Sequence, residues 1–180
     1  LFTPFDLSAF YCQRMDRVRD AFSVTPSYLQ TPETQPVRNL MDTGVQLGRR
    51  FRALKLWMVL RHFGADGMRR RLEEHIRLAA LFASWVDDSE MFERLAPVPF
   101  SVVCFRARPP QSDHDETALD DLNLQVLDGV NATGEVFLSH TRLDGRFALR
   151  LAVGHIRTTE RHVARAWTLL GEQLATHLQA

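Results

Sequence analysis

The sequence contains one lysine. Lys55 stands alone among 22 basic residues, and every other basic position is arginine. Chemistry through an imine on a lysine amine therefore has a single candidate within the chain. Cysteine is nearly as scarce. Cys12 and Cys104 lie far apart in apolar, strand-like runs, and they read as two buried free thiols of a reducing compartment rather than a disulfide. Charge of either sign is not in excess: the formal net charge is zero, which removes the bulk electrostatic case for nucleic acid or an anionic membrane surface. No apolar run approaches the ~20 residues of a membrane span. No basic start followed by an apolar core marks a secretory signal. A glycine-rich phosphate loop is missing, as is a Gly-x-Ser-x-Gly elbow for a serine nucleophile. The seven histidines include no pair on one helical turn with a third ligand nearby, so no metal site is expected.

What remains is an ordinary globular composition, 45% hydrophobic over 180 residues, enough for one solid core or for one and a half domains. The chain opens on Leu1-Phe2-Thr3-Pro4 without Met. That start reads as the middle of a fold, and a fragment is expected. Residues 5–12 alternate partially and predict a strand. Residues 16–22 predict a short charged helix or turn. Residues 28–45 show no sustained period and carry Pro32, Pro36, Asn39 and Gly44; a loop this long usually does something.

The stretch Leu47-Gly48-Arg49-Arg50-Phe51-Arg52-Ala53-Leu54-Lys55-Leu56-Trp57 opens a helix to residue 63, with Leu47, Phe51, Leu54 and Met58 on one face and Gly64 as its stop. A second helix follows, with Asp66 as its cap, to Val86, with Leu72, Ile76, Ala79, Phe82 and Val86 inward. Short strands are expected at 92–95 and 100–106, a helix at 116–130, and strands at 136–141 and 146–153 joined by Asp144-Gly145, a two-residue hairpin signal. Thr158 or Thr159 can cap a last helix striped by Val163, Ala166, Trp167, Leu170, Leu174 and Leu178. The order α-α-β-β-α-β-β-α predicts helices on one antiparallel sheet.

Four features carry possible chemistry. Arg69-Arg70-Arg71 precedes Glu73 and Glu74 and reads as a solvated helix face with i,i+4 pairs, with no nucleic-acid motif beside it. Lys55 sits mid-helix between two leucines with no phosphate signature near it; a snorkelling or paired lysine is the simpler reading. Arg150 lies inside the apolar run Phe147-Ala148-Leu149-Arg150-Leu151-Ala152-Val153. It needs an anion or hydrogen-bond acceptors: an Asp or Glu of the fold, or a substrate carboxylate held by both guanidinium arms. Tyr28 opens the long loop, where a lid tyrosine can donate a proton.

Several of these strings together resemble the aromatic-L-amino-acid decarboxylase family of pyridoxal-phosphate enzymes. Leu1-Phe2-Thr3-Pro4-Phe5-Asp6-Leu7-Ser8-Ala9-Phe10-Tyr11 is similar to the strand that follows that family's imine lysine. Pro26-Ser27-Tyr28-Leu29 is similar to the start of its catalytic loop. The Leu47–Trp57 string resembles its joint between large and small domains, and Phe147-Ala148-Leu149-Arg150 and Ala164-Arg165-Ala166-Trp167 its last strand and helix. Leu7 and Thr43 depart from the pattern, which commonly has Cys at the first position and an aromatic residue at the second.

The resemblance implies the C-terminal portion of a fold-type-I, α/β pyridoxal-phosphate enzyme. Residues 1–54 would end the large domain, with the catalytic loop at about 28–45, and residues 55–180 would form a small α+β domain. The imine lysine would lie upstream of Leu1, leaving Lys55 structural and the segment inactive alone. The implied activity is decarboxylation of an L-amino acid, preferably aromatic, to the amine and carbon dioxide in a cytoplasmic homodimer. Tyr28 would supply the proton, where Phe in relatives diverts the chemistry toward aldehyde. Arg150 would meet the substrate carboxylate, Gly48 would leave room for an indole or catechol ring, and Phe5 would lie near the cofactor. The rival reading from another class is a non-catalytic α+β ligand-binding or regulatory module.

Overall fold

The structure, a computed structural model, describes residues 2–23, 40–46, 48–110 and 115–179. Its elements run α1 (Met15–Phe22), a 3-10 turn (Leu40–Thr43), α2 (Arg52–Asp87), β1 (Phe92–Arg94), β2 (Val102–Ala107), α3 (Glu116–Ala132), β3 (Ser139–Leu143), β4 (Arg146–Ala152) and α4 (Glu160–Leu178). Two compact units divide them. One takes in Thr3–His62, the other Phe2 with Phe63–Ala180. The boundary falls inside α2, next to Gly64, whose φ of 64° and ψ of 175° are not helical. Only a residue without a Cβ takes up such a conformation cheaply.

In the second unit four antiparallel strands lie in the order β1-β2-β4-β3. Alternation along β2 and β4 sends Val103, Phe105 and Ala107, and Phe147, Leu149 and Leu151, to one face. There they share a core with Leu78, Phe82 and Val86 of α2, Val126 and Val130 of α3, and Leu170 and Leu174 of α4. Phe82 is the hub: its ring meets Phe105 at 5.1 Å and Trp167 at 5.6 Å, both edge-on, the arrangement that aromatic quadrupoles favour. Asn123, fully buried on α3, bonds both backbone groups of Ala107 at the end of β2, accepting from the N–H at 2.7 Å and donating to the carbonyl at 2.9 Å. That clamp satisfies groups a sheet end would otherwise bury unpaired. Leu143 and Arg146 are paired across a two-residue link in which Asp144 and Gly145 both have positive φ, 50° and 81°, as the hairpin signal predicts. Thr159 and His162 close a capping box on α4.

Several expectations are corrected. Residues 5–12 form no strand; an alternating run needs a neighbour to bond with, and none of the described residues provides one. The helix begins at Arg52, not Leu47, and residues 48–50 are irregular. Its expected inner face is open: Phe51 is 74% exposed, Met58 55% and Trp57 58%. Among the described residues of the first unit none is buried, so that apolar stripe has no core of its own to join. On the second half of α2 the buried line passes through Met68, His75, Leu78 and Ala79, leaving Leu72 and Ile76 partly exposed. The arginine triplet is not paired to Glu73 and Glu74: Arg69 bonds Asp66, Arg71 bonds the carbonyl of Ile156, and Glu74 is taken by Arg77. Cys12 and Cys104 are free as expected, but both are only half-buried.

Candidate functional site

Strand alternation places Arg150. Its neighbours Leu149 and Leu151 point into the core, so the Arg150 side chain leaves from the opposite face of the sheet. Its register partners there are Cys104 of β2 and Ser139 of β3. Neither is an anion. Arg150 is half-buried and, among the described residues, has no ion pair and no side-chain hydrogen bond.

The contrast with Arg106, on β2, is complete. Arg106 is 1% exposed. It donates to Glu93 through Nε and to Glu116 through both Nη atoms, at 2.6 and 3.2 Å. The Glu116 and Glu93 carboxylates raise its own pKa further. Burial pushes the Glu93 carboxyl up, but bonds from Arg106 and Arg108 outweigh it and leave it below the ordinary carboxylate range. Of Arg106 and Arg150, then, one is consumed by the fold and one is available to a ligand. Sequence reasoning singled out Arg150 and missed Arg106. The missing signal was pairing across strands, since Glu93 and Arg106 are register partners.

In the first unit Phe5 and Lys55 come together. They line a pocket of about 270 Å³ with Asp6, Arg50, Phe51, Arg52, Leu54 and Met58. Arg52 bonds Asp6 at 3.0 Å, and that bond holds the Asp6 carboxyl below its ordinary value. The pocket is thus cationic with an aromatic wall, suited to an anion with an apolar body. Gly48 is exposed, and a Cβ built there would meet nothing within 4 Å. Arg49 reaches back to Thr43 Oγ1 at 3.2 Å and steadies the 3-10 turn. Tyr28 lies outside the described residues. The structure therefore brings Phe5 together with Lys55 in one unit and sets Arg150 free in the other.

Fitness for pyridoxal phosphate can be judged on the donor set. Lys55 is the only lysine, and it projects from the first turn of α2 among arginines. These residues alone do not make a site for that group. No group of three or more His, Cys, Asp or Glu is placed to hold a metal among the described residues, and no helix among them is long and apolar enough to cross a membrane.

The chain matches the pyridoxal-dependent decarboxylase conserved domain over residues 1–108. It is 43% identical to tryptophan decarboxylase 2 of Oryza sativa subsp. japonica over 95% of its own length, and 38% identical to phenylacetaldehyde synthase of Arabidopsis thaliana over 95%. A crystal structure of Oryza sativa TDC with PLP and tryptamine superimposes with a TM-score of 0.82 at 33% identity, over 91% of this chain and 34% of that one. The chain spans about a third of the length of the curated relatives it matches, 34% and 35% in these two cases.

Proposed function

The chain belongs to the family of pyridoxal-dependent decarboxylases, and on that premise we propose that it is the C-terminal segment of an enzyme converting an aromatic L-amino acid to its amine and carbon dioxide. The observation that carries the reading is the identity to a tryptophan decarboxylase sustained over 95% of the chain. The uncovered aromatic surface of the first unit is consistent with it, because Phe5, Phe51 and Trp57 belong against further protein. The cofactor-binding lysine is assigned upstream of Leu1, since Lys55 is not placed for that work, and the segment alone is then inactive. A cytoplasmic homodimer is part of the same proposal, with free thiols in keeping with a reducing compartment.

Pyridoxal phosphate, when bound by the full-length protein, would supply the electron sink for such a decarboxylation. This chain's residues act on the substrate. Arg150 holds the carboxylate with two parallel N–H bonds and so orients the bond to be broken. Phe5 offers a face to the side-chain ring, and Gly48 leaves space where any larger residue would stand. Tyr28 delivers a proton to Cα, which makes the product an amine.

The test uses the full-length protein with cofactor. Carbon dioxide and the matching amine are expected from tryptophan, tyrosine or dihydroxyphenylalanine; release of neither from any amino acid removes the reading. Tyr28→Phe is expected to suppress the amine and yield aldehyde. Unchanged amine output would take Tyr28 out of the mechanism.

A further inference from the structure

Arg150 is the middle of a row that crosses β2, β4 and β3. Cys104 is its register partner on one side and Ser139 on the other. Side chains directly opposite one another in antiparallel strands leave from the same face, with Cβ atoms about 4.5–5.5 Å apart. Along β4 itself the residues two positions away are Ala148 and Ala152. Neither carries more than a methyl group, so the long arginine stem can lean along its strand over either of them. Exposure rises in one direction along this face: Ala148 is fully buried, Arg150 half-buried and Ala152 exposed.

Ser139 is the neighbour with an unused donor. It is half-buried, and its hydroxyl makes no hydrogen bond among the described residues. The Arg150 guanidinium makes none there either. Among the described residues no side-chain nitrogen or oxygen is both sealed from solvent and unbonded, so solvent reaches both groups. The two carboxylates that approach β2, Glu93 and Glu116, are already held by Arg106. A carboxylate ligand offers about four lone-pair directions on its two oxygens, and a guanidinium fork fills two of them. When the fork is Nε with one Nη, the anion sits beside the arginine stem, above a neighbouring strand, rather than beyond its tip. On the β3 side that place lies over Ser139, whose hydroxyl can fill a third direction.

We propose that Ser139 is the second donor of the carboxylate subsite that Arg150 forms, a binding residue supplied by the edge strand β3. The proposal rests on the reading that Arg150 takes a substrate carboxylate, and every residue it uses belongs to the second unit. Cys104, a free and half-buried thiol, flanks the same arginine from β2 and serves as the reporter. Neighbouring strands are about 4.8 Å apart, so a carboxylate held by Arg150 lies close to its sulfur.

The experiment compares alkylation of Cys104 by iodoacetate and by iodoacetamide in full-length apoprotein at one fixed pH, read by mass spectrometry of the peptide that contains it. With either reagent the sulfur displaces iodide; only iodoacetate carries a carboxylate. The neutral reagent reports how exposed the thiol is in each variant, so the ratio of the two rates isolates recognition of the anion even where a substitution loosens the fold. The wild-type ratio is expected to exceed that of the urea-unfolded protein. Ser139→Ala should lower it about threefold to tenfold, the span of one hydrogen bond. Ser139→Thr keeps the hydroxyl and should keep most of the preference. Arg150→Gln should return the ratio to the unfolded value. An unchanged ratio in Ser139→Ala, or an equal loss in Ser139→Thr, overturns the proposal and leaves the reading of Arg150 standing. A wild-type ratio no higher than in the unfolded protein, a ratio that Arg150→Gln does not lower, or a folded wild type in which Cys104 takes neither reagent sinks that reading and the proposal with it.

Discussion

Glutamine in place of Arg150 should damage function while leaving the fold nearly intact, and Arg106 supplies the control. Arg150 has no ion pair or side-chain hydrogen bond among the described residues. Arg150→Gln therefore removes stem packing only, worth about 1 kcal/mol or less. Arg106→Gln removes one partner of a buried network. It leaves Glu93, itself only partly exposed, with Arg108 alone at 3.0 Å and takes the partner from the more exposed Glu116, which costs about 1–3 kcal/mol. If Arg150 holds the substrate carboxylate in bidentate fashion, its loss removes about 3 kcal/mol of charge-assisted bonding, or roughly a hundredfold in kcat/KM. Urea unfolding and steady-state kinetics on the full-length wild type and both variants separate the two quantities. Arg150→Lys adds a refinement, because a point charge cannot reproduce the fork; it should recover only a small part of the loss. Equal destabilisation by the two glutamine variants would refute the structural half of the reasoning. An unchanged kcat/KM in Arg150→Gln would refute the functional half.

Two further outcomes follow from the geometry. Asn123→Ala leaves both backbone groups of Ala107 without their partners and should destabilise the protein by about 2–5 kcal/mol, read as a lowered urea midpoint with an unchanged slope. Gly48→Ser should leave stability within about 0.5 kcal/mol, since nothing lies within 4 Å of the added Cβ, yet shift the ratio of kcat/KM values away from tryptophan toward smaller rings.

Much of the second unit was legible because its signals are local. Asp144-Gly145 specifies positive φ at two positions, and the stripes of α3 and α4 repeat at helical spacing. Signals that depend on a partner elsewhere were not legible. Residues 5–12 have the alternation of a strand but no ladder to join, and Phe51, Met58 and Trp57 have the spacing of a buried face but no core beneath them. Arg106 looked like a strand terminus until Glu93 and Glu116 closed on it. Asn123 was concealed in plain view, a polar residue within an apolar stripe, and only the end of β2 explains it. At the site itself, the separation of Arg150 from its own kind was legible as an oddity in an apolar run, but its lack of an internal partner was not.

The link of two residues between β3 and β4 also acts as a parity device. Because β4 is fixed on its other side by β2, a residue inserted at 144–145 would be absorbed by β3, and each of its side chains would exchange faces. Ser139 would turn inward, Leu138 or His140 would come to lie beside Arg150, and an apolar residue or an imidazole would border the guanidinium. The length of this short turn, remote from the chemistry, thus decides what kind of neighbour the free arginine has.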